Sequence, residues 1–182
     1  LAKAERVHIF GFRYVAGLAM YFAYALGKIK PNVLAFTQAD SSLYDRIRLM
    51  DRGDVVVVLA FPRYPADLVA LVRYAHGFGI RILAITDSPL SPILPMSEVA
   101  LFAKSDLLDF VGSMAAPAAL INCVVSELSQ RLGGRALERL RTLEDAASSA
   151  GIYVRSGSPF KAQLAGGENG RVHTVKGVRG QG

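Results

Sequence analysis

Asp54-Val-Val-Val-Val-Leu-Ala60 is the stretch on which the reading of the fold turns. A strand with one face in water alternates polar and apolar residues. Here nothing polar follows the aspartate, so both faces must be covered, as in the middle of a parallel sheet. The residues after it fit that reading. Pro65 stands where a first helical residue belongs, Leu68, Leu71, Val72 and Ala75 recur on one face, and Gly77 can end the helix. A buried strand running into an amphipathic helix is half of a βαβ unit.

Outward from this centre the alternation repeats. Residues 6–10 read as a strand, 14–28 as an apolar helix and 32–37 as a second strand, after which Asp40 or Ser41 caps a helix carrying Leu43, Ile47 and Met50. Beyond the centre, residues 80–86 and 99–103 read as strands, and residues 107–131 and 134–149 as two closing helices. Right-handed crossovers then give an α/β fold: a doubly wound five-stranded parallel sheet of flavodoxin-like order 2-1-3-4-5, with helices on both faces.

The 182 residues suit one domain, and 52% apolar with 20% charged residues supply a core. The single cysteine, Cys123, excludes an intramolecular disulfide and fits a reducing, cytoplasmic compartment. His8, His76 and His173 are far apart, so neither a metal nor a cofactor is expected; His8 reads as a packed core residue and His76 as a helix-end residue. The most apolar stretch, residues 110–125, contains Pro117 and Asn122 and falls short of the ~20 residues of a membrane span. It reads as a buried helix, with Cys123 a small hydrophobe inside it, and no membrane partner is expected.

The net charge of +6 invites a nucleic-acid reading, but its location argues otherwise. Five basic residues (Arg155, Lys161, Arg171, Lys176, Arg179) and one acid, Glu168, put +4 on residues 155–182, leaving +2 for residues 1–154. A duplex-binding domain carries a basic face on its folded body. The expected organisation is a domain over 1–154 and a Gly-rich, basic, flexible tail over 155–182.

In an open α/β sheet, ligands bind beyond the carboxyl ends of the strands where strand order reverses. That point lies between strands one and three, at Gly11-Phe-Arg-Tyr14 and Ala60-Phe-Pro-Arg-Tyr-Pro65, with Thr86-Asp-Ser-Pro-Leu-Ser-Pro92 beside them. Arg13 and Arg63 each precede a helix N-terminus, and guanidinium forks beside free N–H groups suit phosphate or carboxylate. The candidate ligand residues are Gly11, Arg13, Tyr14, Arg63, Tyr64, Thr86 and Ser88; none is expected to be catalytic. The competing reading has both arginines in surface pairs with Asp67 or Asp87, and Asp87, Ser88 and Ser91 as turn and capping residues. No GxGxxG, GxxxxGK[ST] or GxSxG motif is present.

On these residues the chain resembles the SIS (sugar isomerase) domain of RpiR/MurR-type bacterial transcription regulators. Gly11-Phe-Arg13, Asp54 through Tyr64, and above all Ala84-Ile-Thr-Asp-Ser-Pro-Leu-Ser-Pro92 carry the resemblance, which spans about residues 5–154. It implies a Rossmann-like SIS fold that senses a sugar phosphate or related carbohydrate derivative. DNA binding is then expected only through an N-terminal helix-turn-helix domain absent from this chain, whose first residue, Leu1, suggests a start further upstream. Such domains commonly place Ser-x-Ser-Gly-x-Thr after the third strand; here those positions are Ala60, Pro62, Arg63 and Pro65, and Tyr14 and Val15 stand where small hydroxyl residues are common. Arg13 and Arg63 are then left to hold a small anionic sugar derivative, either phosphate ester or carboxylate. Two other readings stay open: a sugar-phosphate isomerase on the same fold, and a decayed domain that only dimerises.

Assembly completes the expectations. A helix over 110–132 with Phe110, Val111, Met114, Leu120, Ile121, Val124, Val125 and Leu128 on several faces cannot be covered by one sheet face, which predicts a homodimer or higher oligomer. Met20, Tyr21 and Tyr24 are expected against the sheet or a partner subunit.

Overall fold

A computed structural model of the chain describes residues 1–108 and 111–153. Residues Leu1–Asp145 form one compact unit. Of the second, Ala146–Gly182, the described part is helical to Ser149 and closed by hydrogen bonds from the amides of Ala150, Gly151 and Ile152. The tail over 155–182 lies outside the described residues.

The central strand is β3 (Val55–Ala60), buried at every position. It pairs in parallel with β1 (Val7–Phe10) on one side and β4 (Arg81–Thr86) on the other; β2 (Val33–Phe36) and β5 (Val99–Phe102) flank them, giving the order β2-β1-β3-β4-β5. The unbroken apolar run has a simple cause. Val55, Val57 and Leu59 pack into the core on one face, while Val56, Val58 and Ala60 pack into the other. Each such side chain removed from water contributes about 1.5–3 kcal/mol before entropy is counted. The first face is covered by α1 (Ala16–Gly27) and α4 (Ala115–Leu132), the second by α2 (Ser41–Arg48) and α3 (Ala66–Gly77). A last helix, α5, spans Gly134–Ser149.

Local details refine the reading. Asp40 is the cap of α2, its carboxylate accepting from the Leu43 amide at 2.9 Å. Pro65 sits one residue before α3 rather than in it, with an extended ψ of 130°, and the chain leaves α3 through Gly79 at φ +72° rather than turning at Gly77.

The largest correction concerns residues 107–114. They do not begin α4: Leu107–Leu108 (β6) and Val111–Gly112 (β7) pair antiparallel as a small hairpin, and the helix starts at Ala115. Phe110 lies outside the described residues. The helix itself is one-sided. Pro117, Ile121 and Leu128 are buried and Leu120, Val124 and Val125 pack against the same core, whereas Ala119, Asn122, Ser126 and Glu127 face outward. Cys123, read as buried, is exposed on that outer side. The ground for expecting burial of this helix on several faces is therefore gone. An exposed apolar group lies instead on α1, where Met20, Tyr21 and Tyr24 are 60%, 42% and 61% accessible. They face away from the sheet. His8, by contrast, is a buried core residue as read.

Candidate functional site

The strand order reverses between β1 and β3, and the loops leaving their carboxyl ends are fastened together. Tyr14 donates its hydroxyl to the Pro62 carbonyl at 2.5 Å, so Arg13 and Arg63 each lie one residue from that bond. Gly11 makes the geometry possible, through packing rather than a special turn. A Cβ there would lie 2.8 Å from the Ala19 Cβ and 3.3 Å from the Val15 carbonyl, so α1 rests directly on the glycine. Arg13 then opens a 3-10 turn (Arg13–Val15) in the left-handed region, at φ 57°. That conformation costs a residue with a Cβ about 1–2 kcal/mol. A strained non-glycine residue here motivates a search for function.

Both arginines are exposed, and among the described residues neither side chain makes a hydrogen bond or ion pair. The competing reading, in which Asp67 or Asp87 pairs with them, is not realised. Asp67 accepts from the Leu68 amide at 2.8 Å, at the start of α3. Asp87 accepts from the Tyr64 hydroxyl at 2.7 Å. Burial first, and then this bond to the Asp87 carboxylate, push the Tyr64 phenol up to about 12, so its proton stays in place.

The other residues divide by what their hydroxyls already do. Thr86, opposite Ala60 in the β3–β4 register, is buried and donates to the Ala60 carbonyl at 2.6 Å. Its single proton is committed, and it braces the floor of the loops. Ser88 accepts from the Leu90 amide at 3.1 Å, a turn role that leaves its own proton available. Tyr14 is 37% exposed, and burial raises its phenol; the Ser105 hydroxyl and the Arg63 charge act against that rise, and the Asp87 charge with it.

Three residues join the site that the sequence did not place there as ligand groups. Asp87 and Ser91 read as turn residues, yet Ser91 is 2% exposed and its buried Oγ lies within hydrogen-bonding reach of the Tyr64 hydroxyl. Ser105 precedes the hairpin, its buried Oγ lacks a well-formed partner, and a Cβ at Gly112 would meet it at 2.5 Å. The hairpin thus closes over Ser105, beside Tyr14. No sequence signal marks Ser105, because its neighbourhood reads as the approach to a helix.

The fold and site together define a doubly wound α/β domain with two unpaired arginine side chains at its switch point, the place where open α/β sheets bind their ligands. A family profile described as SIS domain matches residues 1–125, and the chain belongs to that family. No curated protein matches it by sequence. Among solved structures, the sugar isomerase domain of an RpiR transcription factor from Sphaerobacter thermophilus is similar at TM-score 0.75 and 24% identity, over 79% of this chain and 80% of that one. The Vibrio vulnificus NanR protein complexed with ManNAc-6P is similar at TM-score 0.72 and 15% identity, over 81% of this chain and 57% of its own. A Methanococcus jannaschii protein, whose structure is described as inferring a 3-hexulose-6-phosphate isomerase function, is similar at TM-score 0.55 and 15% identity, over 75% of this chain and 77% of its own. SIS domains of both kinds, regulators and phosphosugar isomerases, therefore share this fold.

Among the described residues no helix is long and apolar enough to cross a membrane, and no three His, Cys, Asp or Glu side chains cluster as a metal site.

Proposed function

We propose that this SIS domain is the metabolite-sensing part of an RpiR-type transcription regulator. It binds a small anionic sugar derivative between the Arg13 and Arg63 loops and does no chemistry on it. The observation that carries the reading is the pair of exposed, partnerless guanidinium groups on either side of the Tyr14–Pro62 bond. An anion there finds two bidentate donors, and the left-handed backbone at Arg13 is a strain of the kind that clusters at ligand sites. The likeness to an RpiR sugar isomerase domain and to NanR with its ManNAc-6P supports the regulator side.

An isomerase is the second reading, favoured by the phosphosugar isomerases that share the fold. It would need a base poised near neutral pH within reach of the C1–C2 protons. The loops contain no histidine, and their carboxylates, Asp67 and Asp87, hold the Leu68 amide and the Tyr64 hydroxyl through Oδ1. In the proposed reading DNA is contacted by another domain of the regulator, and the assembly is a homodimer or higher oligomer, supported by the exposed Met20, Tyr21 and Tyr24 on α1, which sedimentation at tens of micromolar would register.

A thermal screen of phosphorylated and carboxylated sugars tests the proposal. A ligand at 100 times its dissociation constant stabilises the native state by ~2.7 kcal/mol, a midpoint shift of roughly 5–10 °C for this size. Turnover of a pentose or hexose phosphate would establish the isomerase instead. If no anionic metabolite shifts the midpoint, the dimerisation-only reading takes its place.

A further inference from the structure

β5 is the last strand of the sheet and pairs with β4 alone. The Ala103 amide turns inward to the Thr86 carbonyl at 2.9 Å. By the alternation of a strand, Val99 and Leu101 turn their backbone groups inward as well, and Ala100 and Phe102 aim theirs at the open side. Leu101 packs against the core on one face and Ala100 against the core on the other, while Val99 and Phe102 are 48% and 50% exposed. Natural sheets guard such a strand with a charge, a proline or a bulge. β2, on the far side, is entered through Pro31 and through Asn32 in the left-handed region, at φ 58°. Val99-Ala-Leu-Phe102 has neither charge nor proline; its charges stand just outside it, Glu98 before and Lys104 after.

That order is self-complementary. We propose that the open side of β5 is an interface for a second copy of this chain, laid antiparallel about a two-fold axis at Leu101, so that two five-stranded sheets become one. Leu101 then faces the partner's Leu101, and Ala100 faces the partner's Phe102 on the same side of the sheet, a small side chain beneath a ring. Ala100 and Phe102 exchange the hydrogen bonds their outward backbone groups call for, and the two leucines form the close pair between them. At each end Glu98 meets the partner's Lys104. An axis at Phe102 would instead set Glu98 against the partner's Asp106, and an axis at Ala100 would set it against the partner's Phe102, so charge selects the register. Arg81 already holds both Glu98 oxygens, at 2.8 and 2.9 Å, yet a carboxylate has lone pairs for a further donor. Lys104 is exposed, with no ion pair among the described residues. The surface is separate from α1 and from the arginine loops, and depends on neither reading.

Leu101→Cys in a Cys123→Ala background, where it is the only thiol, tests the geometry. The pairing brings the two Leu101 Cα atoms to about 4.5 Å, within disulfide range. Mild oxidation should convert the chain to a crosslinked dimer on a non-reducing gel, whereas Val99→Cys in the same background, opposite the partner's Ala103, should stay uncrosslinked. Thermal midpoints of the reduced proteins verify folding. A second test leaves the strand intact. Lys104→Glu puts like charges at both ends of the pair and should weaken self-association in sedimentation by about ten-fold. Adding Glu98→Lys should recover most of that loss. A Leu101→Cys chain that folds but does not crosslink overturns the proposal and leaves this side of β5 to a strand of another protein. Val99→Cys crosslinking as readily, or Lys104→Glu associating as wild type does, overturns it too.

Discussion

Two pairs of arginines sit at opposite ends of the same sheet, and they are treated differently. At the amino edge, Arg6 donates to Asp54 at 2.8 Å and Asp51 at 2.7 Å, and Arg81 grips both oxygens of Glu98 at 2.8 and 2.9 Å. At the carboxyl edge, Arg13 and Arg63 are exposed with no partner among the described residues. Even the α5 surface groove, lined by Arg135, Glu138, Arg139, Thr142 and Leu143, belongs to the first end. There Arg139 reaches back to the Gly27 carbonyl at the end of α1. Arg6 and Arg81 thus close the structure at the amino edge, whereas Arg13 and Arg63 at the carboxyl edge are the cations proposed to meet a ligand.

The sharpest way to break this contrast is to exchange the consequences. Asp54 is buried, and burial opposes its charge; hydrogen bonds from Arg6 and the Asp51 amide, with the Arg6 and His8 charges, outweigh that and hold its carboxyl below the usual value. Asp54→Ala should lower stability by about 2–3 kcal/mol in urea titration, the scale of lost hydrogen bonds to a charged group, and leave ligand affinity alone. Arg63→Ala should do the reverse. Its unliganded midpoint should barely move, while affinity for a bound sugar anion falls about ten- to a hundred-fold, or ~1.5–3 kcal/mol. A destabilised Arg63→Ala, or an Asp54→Ala that loses ligand, would dissolve the distinction.

Arg13 sharpens the contrast within one residue. Arg13→Gly removes the left-handed Cβ strain at the cost of backbone entropy, so stability should hold or rise by up to about 1 kcal/mol while ligand affinity drops. A pH effect should be smaller still and confined to the other end. Burial holds the His8 imidazole below its ordinary value, despite the Asp54 carboxylate 3.9 Å away. Its contribution is therefore complete above pH ~6.5 and is lost as pH falls toward the folded-state value, because the unfolded chain takes up the proton first. Denaturation midpoints of His8→Phe should slope less over that window than wild type, with ligand affinity showing no matching change.

The sheet was legible because burial on both faces is written into residue type: Val55 through Leu59 can satisfy no other environment. The hairpin was not, since a short apolar stretch such as residues 107–112 has no periodicity that separates strand from helix. At the site, topology located Arg13 and Arg63 from loop position alone. What the hydroxyls do was hidden, because the Thr86 bond to Ala60 and the Tyr64 bond to Asp87 span 26 and 23 residues of sequence. Such pairings depend on side-chain placement, which spacing does not encode.

The central claim is that the carboxyl-edge arginines are the ligand's, and side-chain nitrogen spectroscopy reads it directly. With nitrogen-15 arginine, the Nε–Hε resonances of Arg13, Arg63, Arg6 and Arg81 can be assigned by single Arg→Lys variants and followed during a phosphate titration. The account predicts saturable shifts at Arg13 and Arg63 with one common dissociation constant, while Arg6 and Arg81 keep their positions. Shifts spread over all four, or an Arg13 and Arg63 that do not respond, would contradict it.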